Sequence, residues 1–222
     1  MTGALLTLWS YYPLVWADIK LIGTWSLFWG ILFVIASQIN PPFKPEGLKL
    51  KQKDELDVKN RLVSFVHGFS MAFLSAYEFY FQPGSCGESN TPFERMVCCA
   101  TAGYFLYDFV AMAYYKLLDG TMILHHSICL GGFTAALATG TGSNYTIMGL
   151  YVSEVSNTCM HIRSILKHYG LRYTKSYELM EISFILLYIY GRILLGPALL
   201  WSTTMCSHNH FMIRICAVAL FG

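Results

Sequence analysis

Apolar stretches of about 18–20 residues recur along the whole chain, separated by short polar connections. A helix rising about 1.5 Å per residue needs roughly twenty such residues to cross the hydrocarbon layer of a bilayer. Seven candidate spans follow, at roughly 21–39, 62–81, 96–115, 122–139, 145–162, 178–201 and 211 to the end. Composition agrees. Charged residues make up 13% of the chain, against about 25% in soluble domains. The expected fold is all-α, a polytopic membrane helical bundle of about six to seven transmembrane helices. The last stretch, Phe211 to Gly222, is too short to cross, so the final helix is expected to be incomplete. No GxGxxG, P-loop, HExxH or CxxC pattern is present, and no nucleic-acid partner is expected.

The first twenty residues carry Leu5, Leu6, Leu8, Trp9, Tyr11, Tyr12 and Trp16. They lack a basic leader and a clear cleavage site, which argues against a removed signal peptide. Trp and Tyr collect where membrane meets water. An interfacial segment is therefore expected, with a longer first helix broken near Pro13 as the competitor. Residues 1–54 then comprise this segment, the first span and a basic linker, and 55–222 form one membrane domain.

Basic residues set the orientation. Connections 40–61, 116–121 and 163–177 carry eleven, from Lys44 to Lys175, whereas the alternating connections 82–95, 140–144 and 202–210 hold only Arg95. The positive-inside rule places the first set in the cytosol and the amino terminus on the opposite side. Cys86 and Cys206 both fall on that opposite side, where a disulfide between them is possible. The sequon Asn144-Tyr145-Thr146 lies there too, but so close to the membrane that it is expected to stay unmodified.

Ionisable groups inside such spans lose their water and need partners. His67, Asp108, the pair His125-His126 and His161 all fall in the cytosolic half of their spans, with Glu154 near mid-depth. Glu154, Asn157 and His161 share a helix face, as do Ser64, His67 and Met71, and as do Tyr104 and Asp108. Adjacent helical residues point about 100° apart, so His125 and His126 take different environments. Plain structural readings stand beside these: His67 as a packing residue, His161 reaching the interface, and Glu178 with Glu181 capping the sixth helix. Arg192, deep in the sixth span, needs a partner; Glu154 is favoured on depth and Glu78 is the competitor.

Three blocks carry a resemblance. Asn60-Arg61-Leu62-Val63-Ser64 with His67, Tyr104-Phe105-Leu106-Tyr107-Asp108, and His125-His126 resemble the TLC domain of ceramide synthases and translocating-chain-associated membrane proteins, over about residues 55–222. The chain looks most like the small transmembrane members of that family. The resemblance implies the endoplasmic reticulum and, through the ceramide synthases, transfer of an acyl group from fatty acyl-CoA to a sphingoid base. His125 and His126 match the histidine pair of that chemistry. The second family motif, His-Asp-x-x-Asp, is not matched: the nearest stretch reads Ser153-Glu154-Val155-Ser156-Asn157.

A role in lipid metabolism or membrane lipid homeostasis follows, with membrane lipids as the expected partners and a polar pocket in the cytosolic half. In the acyltransferase alternative, one of His125 and His126 carries the acyl group or acts as base while the other, oriented by Asp108, moves protons. His67, Glu154, Asn157, His161 and Arg192 would line the pocket. Fatty acyl-CoA is then a co-substrate, its phosphates met by Lys116, Arg163 and Lys167; no bound cofactor or metal is expected. A mixed site of His67, Asp108, His125 and Glu154 for Zn or Fe is a weaker use of the same groups. Non-enzymatic lipid binding or sensing is a further alternative. A transporter fits poorly, because paired interrupted spans are absent.

Overall fold

The computed structural model describes residues 2–39 and 44–221, with side chains from Val15 onward. The elements are α1 (Thr2–Gln38), α2 (Gln52–Phe81), α3 (Pro92–Tyr114), α4 (Gly120–Thr139), α5 (Ser143–His168), α6 (Lys175–Tyr188), a π-helical turn (Ile189–Leu195), α7 (Gly196–Met205) and α8 (Phe211–Phe221). From α6 to α7 the backbone is one rod, Lys175–Met205. Among the described residues there is no strand, only an isolated bridge between Ser89 and Thr141.

Among the described residues, five helices are long and apolar enough to cross a membrane: Val15–Gln38, α2, α3, α4 and the rod. The all-helical membrane bundle expected from the apolar runs is the fold observed. The long helix α5 falls outside that set because of its polar residues, and it is enclosed by α2 and α6. The backbone of α1 is helical without interruption from Thr2 to Gln38, so it does not break at Pro13. The aromatic side chains before Val15 lie outside the described residues.

Local chemistry sets the helix starts. Thr91 and Glu94 form a reciprocal capping box ahead of α3, with Pro92 in its first turn. The Asp119 side chain accepts from the Met122 N–H to begin α4. The Thr174 side chain caps α6, and Glu178 stands in its first turn as the dipole reading expects; Glu181, further along, accepts from Arg163 at 3.0 Å.

The helices close into a ring. α2 packs on α5 and α3, α3 on α4, α4 on α8, and α8 returns through α7 and the π turn to α5. α1 lies outside the ring, against α3 and α2. Small residues let backbones meet, as membrane helices require where no hydrophobic force drives them together. A Cβ on Gly103 would stand 2.6 Å from the Trp25 Cβ and 2.8 Å from the Ile22 carbonyl. Asp18 of α1 and Arg95 of α3 form an ion pair across the same contact.

Candidate functional site

The ring encloses two cavities stacked along its axis. The one near the basic connections is lined by charged and polar side chains such as Asp108, His126 and His161, with walls from α2, α3, α4, α5 and the π turn. The other extends toward the opposite end among apolar side chains such as Phe133, Leu199 and Ile213. Among the described residues, α1 contributes to neither.

One network crosses the polar chamber from α2 to α4. Tyr107 donates to Asn60 Oδ1 at 2.9 Å, and Asn60 Nδ2 donates to Asp108 Oδ1 at 2.5 Å. The second Asp108 oxygen lies 2.7 Å from His126 Nε2, and His126 Nδ1 lies 2.8 Å from the Met122 carbonyl. A carbonyl only accepts, so Nδ1 carries a proton, and the contact between Nε2 and Asp108 holds one more. All these groups are buried save the Met122 backbone's own residue. Burial is tolerable here because every polar atom of the chain finds a partner. Beside it, Tyr104 donates to Ser64 at 2.8 Å, and Ser64 donates to the Asn60 carbonyl at 3.1 Å.

The two adjacent histidines occupy different environments, as their helical phase requires. His126 is held at both nitrogens. His125 is half-buried; its nearest polar contact is the Cys129 sulfur at 3.8 Å, and its ring borders both cavities. Glu154, Asn157 and Arg192 stand in the same shared wall, with Phe105. Asn157 donates to Glu154 Oε1 at 3.3 Å. The other oxygen, Oε2, is turned toward Gly68 of α2, where an added Cβ would meet it at 2.7 Å.

His161 and His67 also line the polar chamber. His67 is fully buried, stacked on Tyr104 with centroids 3.7 Å apart and edge-on to Trp29 at 5.5 Å. Its Nε2 and the Nδ1 of His161 are buried without hydrogen-bond partners.

Several expectations are corrected. Arg192 pairs with neither Glu154 nor Glu78 within 4.0 Å; its Nη1 donates to the Leu220 carbonyl at 3.1 Å, and its guanidinium covers the Phe221 ring at 5.3 Å. The reason is lateral: α8 stands beside the π turn, a neighbour that span depth does not reveal. Lys116 and Lys167 do not line the chamber, and Arg163, which does, is held by Glu181. Among the described residues, no three His, Cys, Asp or Glu side chains are placed to hold one metal ion, so the mixed site is not assembled.

At the opposite end, Cys86 and Cys206 form a disulfide. Asn144 of the sequon is buried, its amide 3.4 Å from the Ser85 carbonyl. Asn60 and Tyr107 join the site beyond the residues expected to line it, and the spacing Asn60, Ser64, His67 marks one helix face. The apolar chamber left no sequence signal, because its leucines and isoleucines read as ordinary span residues.

The family model for the TLC domain matches residues 57–221. The chain belongs to the TLC-domain family. It is a multipass TLC-domain membrane protein, and the matched region contains every wall of both cavities, from Asp57 to Phe221. Among curated relatives, it is similar to TLC domain-containing protein 2 of Danio rerio, at 23% identity over 161 residues. That match covers 70% of this chain and 64% of the relative. No solved structure matches.

Proposed function

We propose that this TLC-domain protein acts in lipid metabolism or membrane lipid homeostasis by holding an amphiphilic lipid inside its ring. The polar end occupies the chamber of Asp108 and His126, and the hydrocarbon chain occupies the apolar chamber. One observation carries this reading: the two cavities share a wall of Phe105, His125, Glu154, Asn157 and Arg192. A site with a wet half and a dry half in contact suits a ligand with the same division. The polar half lies toward the basic connections, which the positive-inside rule assigns to the cytosol. The disulfide at the other end supports that orientation, since disulfides persist in oxidising compartments. The endoplasmic reticulum is the membrane the family resemblance suggests.

A second reading, acyl transfer from fatty acyl-CoA to an amine such as a sphingoid base, is favoured by the arrangement of the histidine pair. His126 is fixed by Asp108 and Met122, whereas His125, whose nitrogens meet the Cys129 sulfur at 3.8 and 3.9 Å, stands at the cavity junction. In that reading His125 meets the reacting carbonyl or the acceptor's proton, and His126 with Asp108 is the positioning pair beside it.

Untargeted lipidomics separates the readings, using cells expressing wild type, the His125→Ala/His126→Ala variant, or empty vector at matched protein levels. An acylated lipid that rises only with wild type supports acyl transfer and identifies the acceptor. Identical shifts for wild type and variant leave lipid binding as the function and remove the histidine pair from it. Three indistinguishable lipidomes would overturn the lipid role altogether.

A further inference from the structure

Three arginines line the polar chamber, and two of them are already neutralised. Arg61 is held by Asp57 at 2.8 Å and Arg163 by Glu181 at 3.0 Å. Among the described residues, Arg192 has no carboxylate within 4.0 Å. Among the described residues, its hydrogen bond is to the Leu220 carbonyl, and its Nε is buried without a partner. A carboxyl group in such a place is able to shed its charge by taking up a proton; a guanidinium keeps its charge at any physiological pH. Arg192 is therefore a fixed positive charge within a membrane bundle whose hydrogen-bond and ring partners are neutral. Leaving a buried charge uncompensated is costly.

The fold builds this position. A Cβ on Gly191 would lie 2.5 Å from the Val152 carbonyl, so the rod reaches α5 this closely only with glycine there. The next residue is Arg192, inside the π turn Ile189–Leu195, a distortion that recurs at functional sites. Together they set the guanidinium in the wall between the two cavities. Facing it are His125 of α4, Glu154 and Asn157 of α5, and Leu220 and Phe221 of α8. Glu154, the one acidic group among them, attracts the guanidinium across the wall without pairing with it within 4.0 Å; it is engaged by Asn157 and turned toward Gly68.

We infer that Arg192 anchors the ligand, and that the ligand is a single-chain amphiphile with an anionic head, a carboxylate or a phosphate monoester. The head supplies the counter-charge at the junction. The chain lies between Phe133, Leu199 and Ile213 in the apolar chamber. This inference rests on the lipid-site reading above and assigns its substrate class.

The test is direct binding to the purified protein in nanodiscs of palmitate, hexadecyl phosphate and palmitic acid methyl ester, which share one chain and differ in head. Wild type is expected to bind at least one of the two anions roughly tenfold more tightly than the ester, about 1.4 kcal/mol. Which anion binds better separates a fatty acid from a phospholipid-derived ligand. Arg192→Met should bind all three alike, at the affinity wild type shows for the ester, and Arg192→Lys should recover part of the preference. Equal affinity of wild type for acids and ester overturns the inference while leaving the lipid site standing. So does a preference that survives in Arg192→Met. Failure of all three ligands to bind wild type overturns the lipid site itself. Should Arg192→Met not fold, the comparison of acids with ester on wild type still decides.

Discussion

Asp108 is the residue on which the polar chamber depends, because each of its oxygens serves a different helix. Oδ1 accepts from Asn60 of α2 and Oδ2 meets His126 of α4, so one carboxyl group ties three elements together. Groups in one network couple when mutated, by about 0.5–3 kcal/mol. Asp108→Ala and His126→Ala should therefore destabilise the protein individually, while the double variant loses less than their sum. Thermal unfolding of the four proteins in one detergent measures that coupling; simple additivity would remove the pair as a structural unit. At Gly68 the expectation is steric. Gly68→Ala places a methyl 2.7 Å from Glu154 Oε2, so the carboxyl must turn away from α2, toward the chambers. It should alter lipid binding more than it alters stability, read as a change in ligand affinity at nearly constant Tm.

At the scale of elements, close backbone approach decides which helices touch. Gly103 admits α1 to α3, where any larger residue meets Trp25 and the Ile22 carbonyl. Gly103→Leu should detach α1 from the ring and expose the apolar face of α3, lowering Tm and promoting aggregation. Because α1 lines neither cavity among the described residues, whatever ligand affinity remains in the folded fraction should be unchanged. Affinity lost in proportion to the displacement of α1 would contradict that separation. The start of α3 is a milder case. Thr91→Ala removes the side chain that caps it, and a loss of about 1 kcal/mol is expected from chemical or thermal unfolding.

Across the whole molecule, the disulfide joins parts far apart in sequence. Cys86 precedes α3 and Cys206 follows α7, a separation of 120 residues. Closing so long a loop restricts the unfolded chain, and such bonds typically contribute about 2–4 kcal/mol. Cys86→Ser, Cys206→Ser and the double variant should lower Tm by the same amount, since each loses one and the same bond. Unequal losses would show that a lone thiol left behind has its own effect. Thiol labelling without reductant should reach neither cysteine in wild type.

The apolar runs alone make this chain a helical membrane bundle, because the length of such a run is set by bilayer thickness and needs no knowledge of neighbours. The sequence also gathered the polar residues: depth along a span and phase around a helix brought His67, Asp108, His126, Glu154 and His161 to one chamber wall. Depth and phase are properties of one helix, however, and pairing is not. Only the tertiary structure decided that His126, rather than His125, meets Asp108, and that Asn60 and Tyr107 complete the network. The same holds for Arg192, which depth alone paired with Glu154 and which α8 instead receives through a backbone carbonyl. The apolar chamber was beyond any one-dimensional reading, since a leucine that faces a cavity and one that faces lipid are the same letter in the same kind of run.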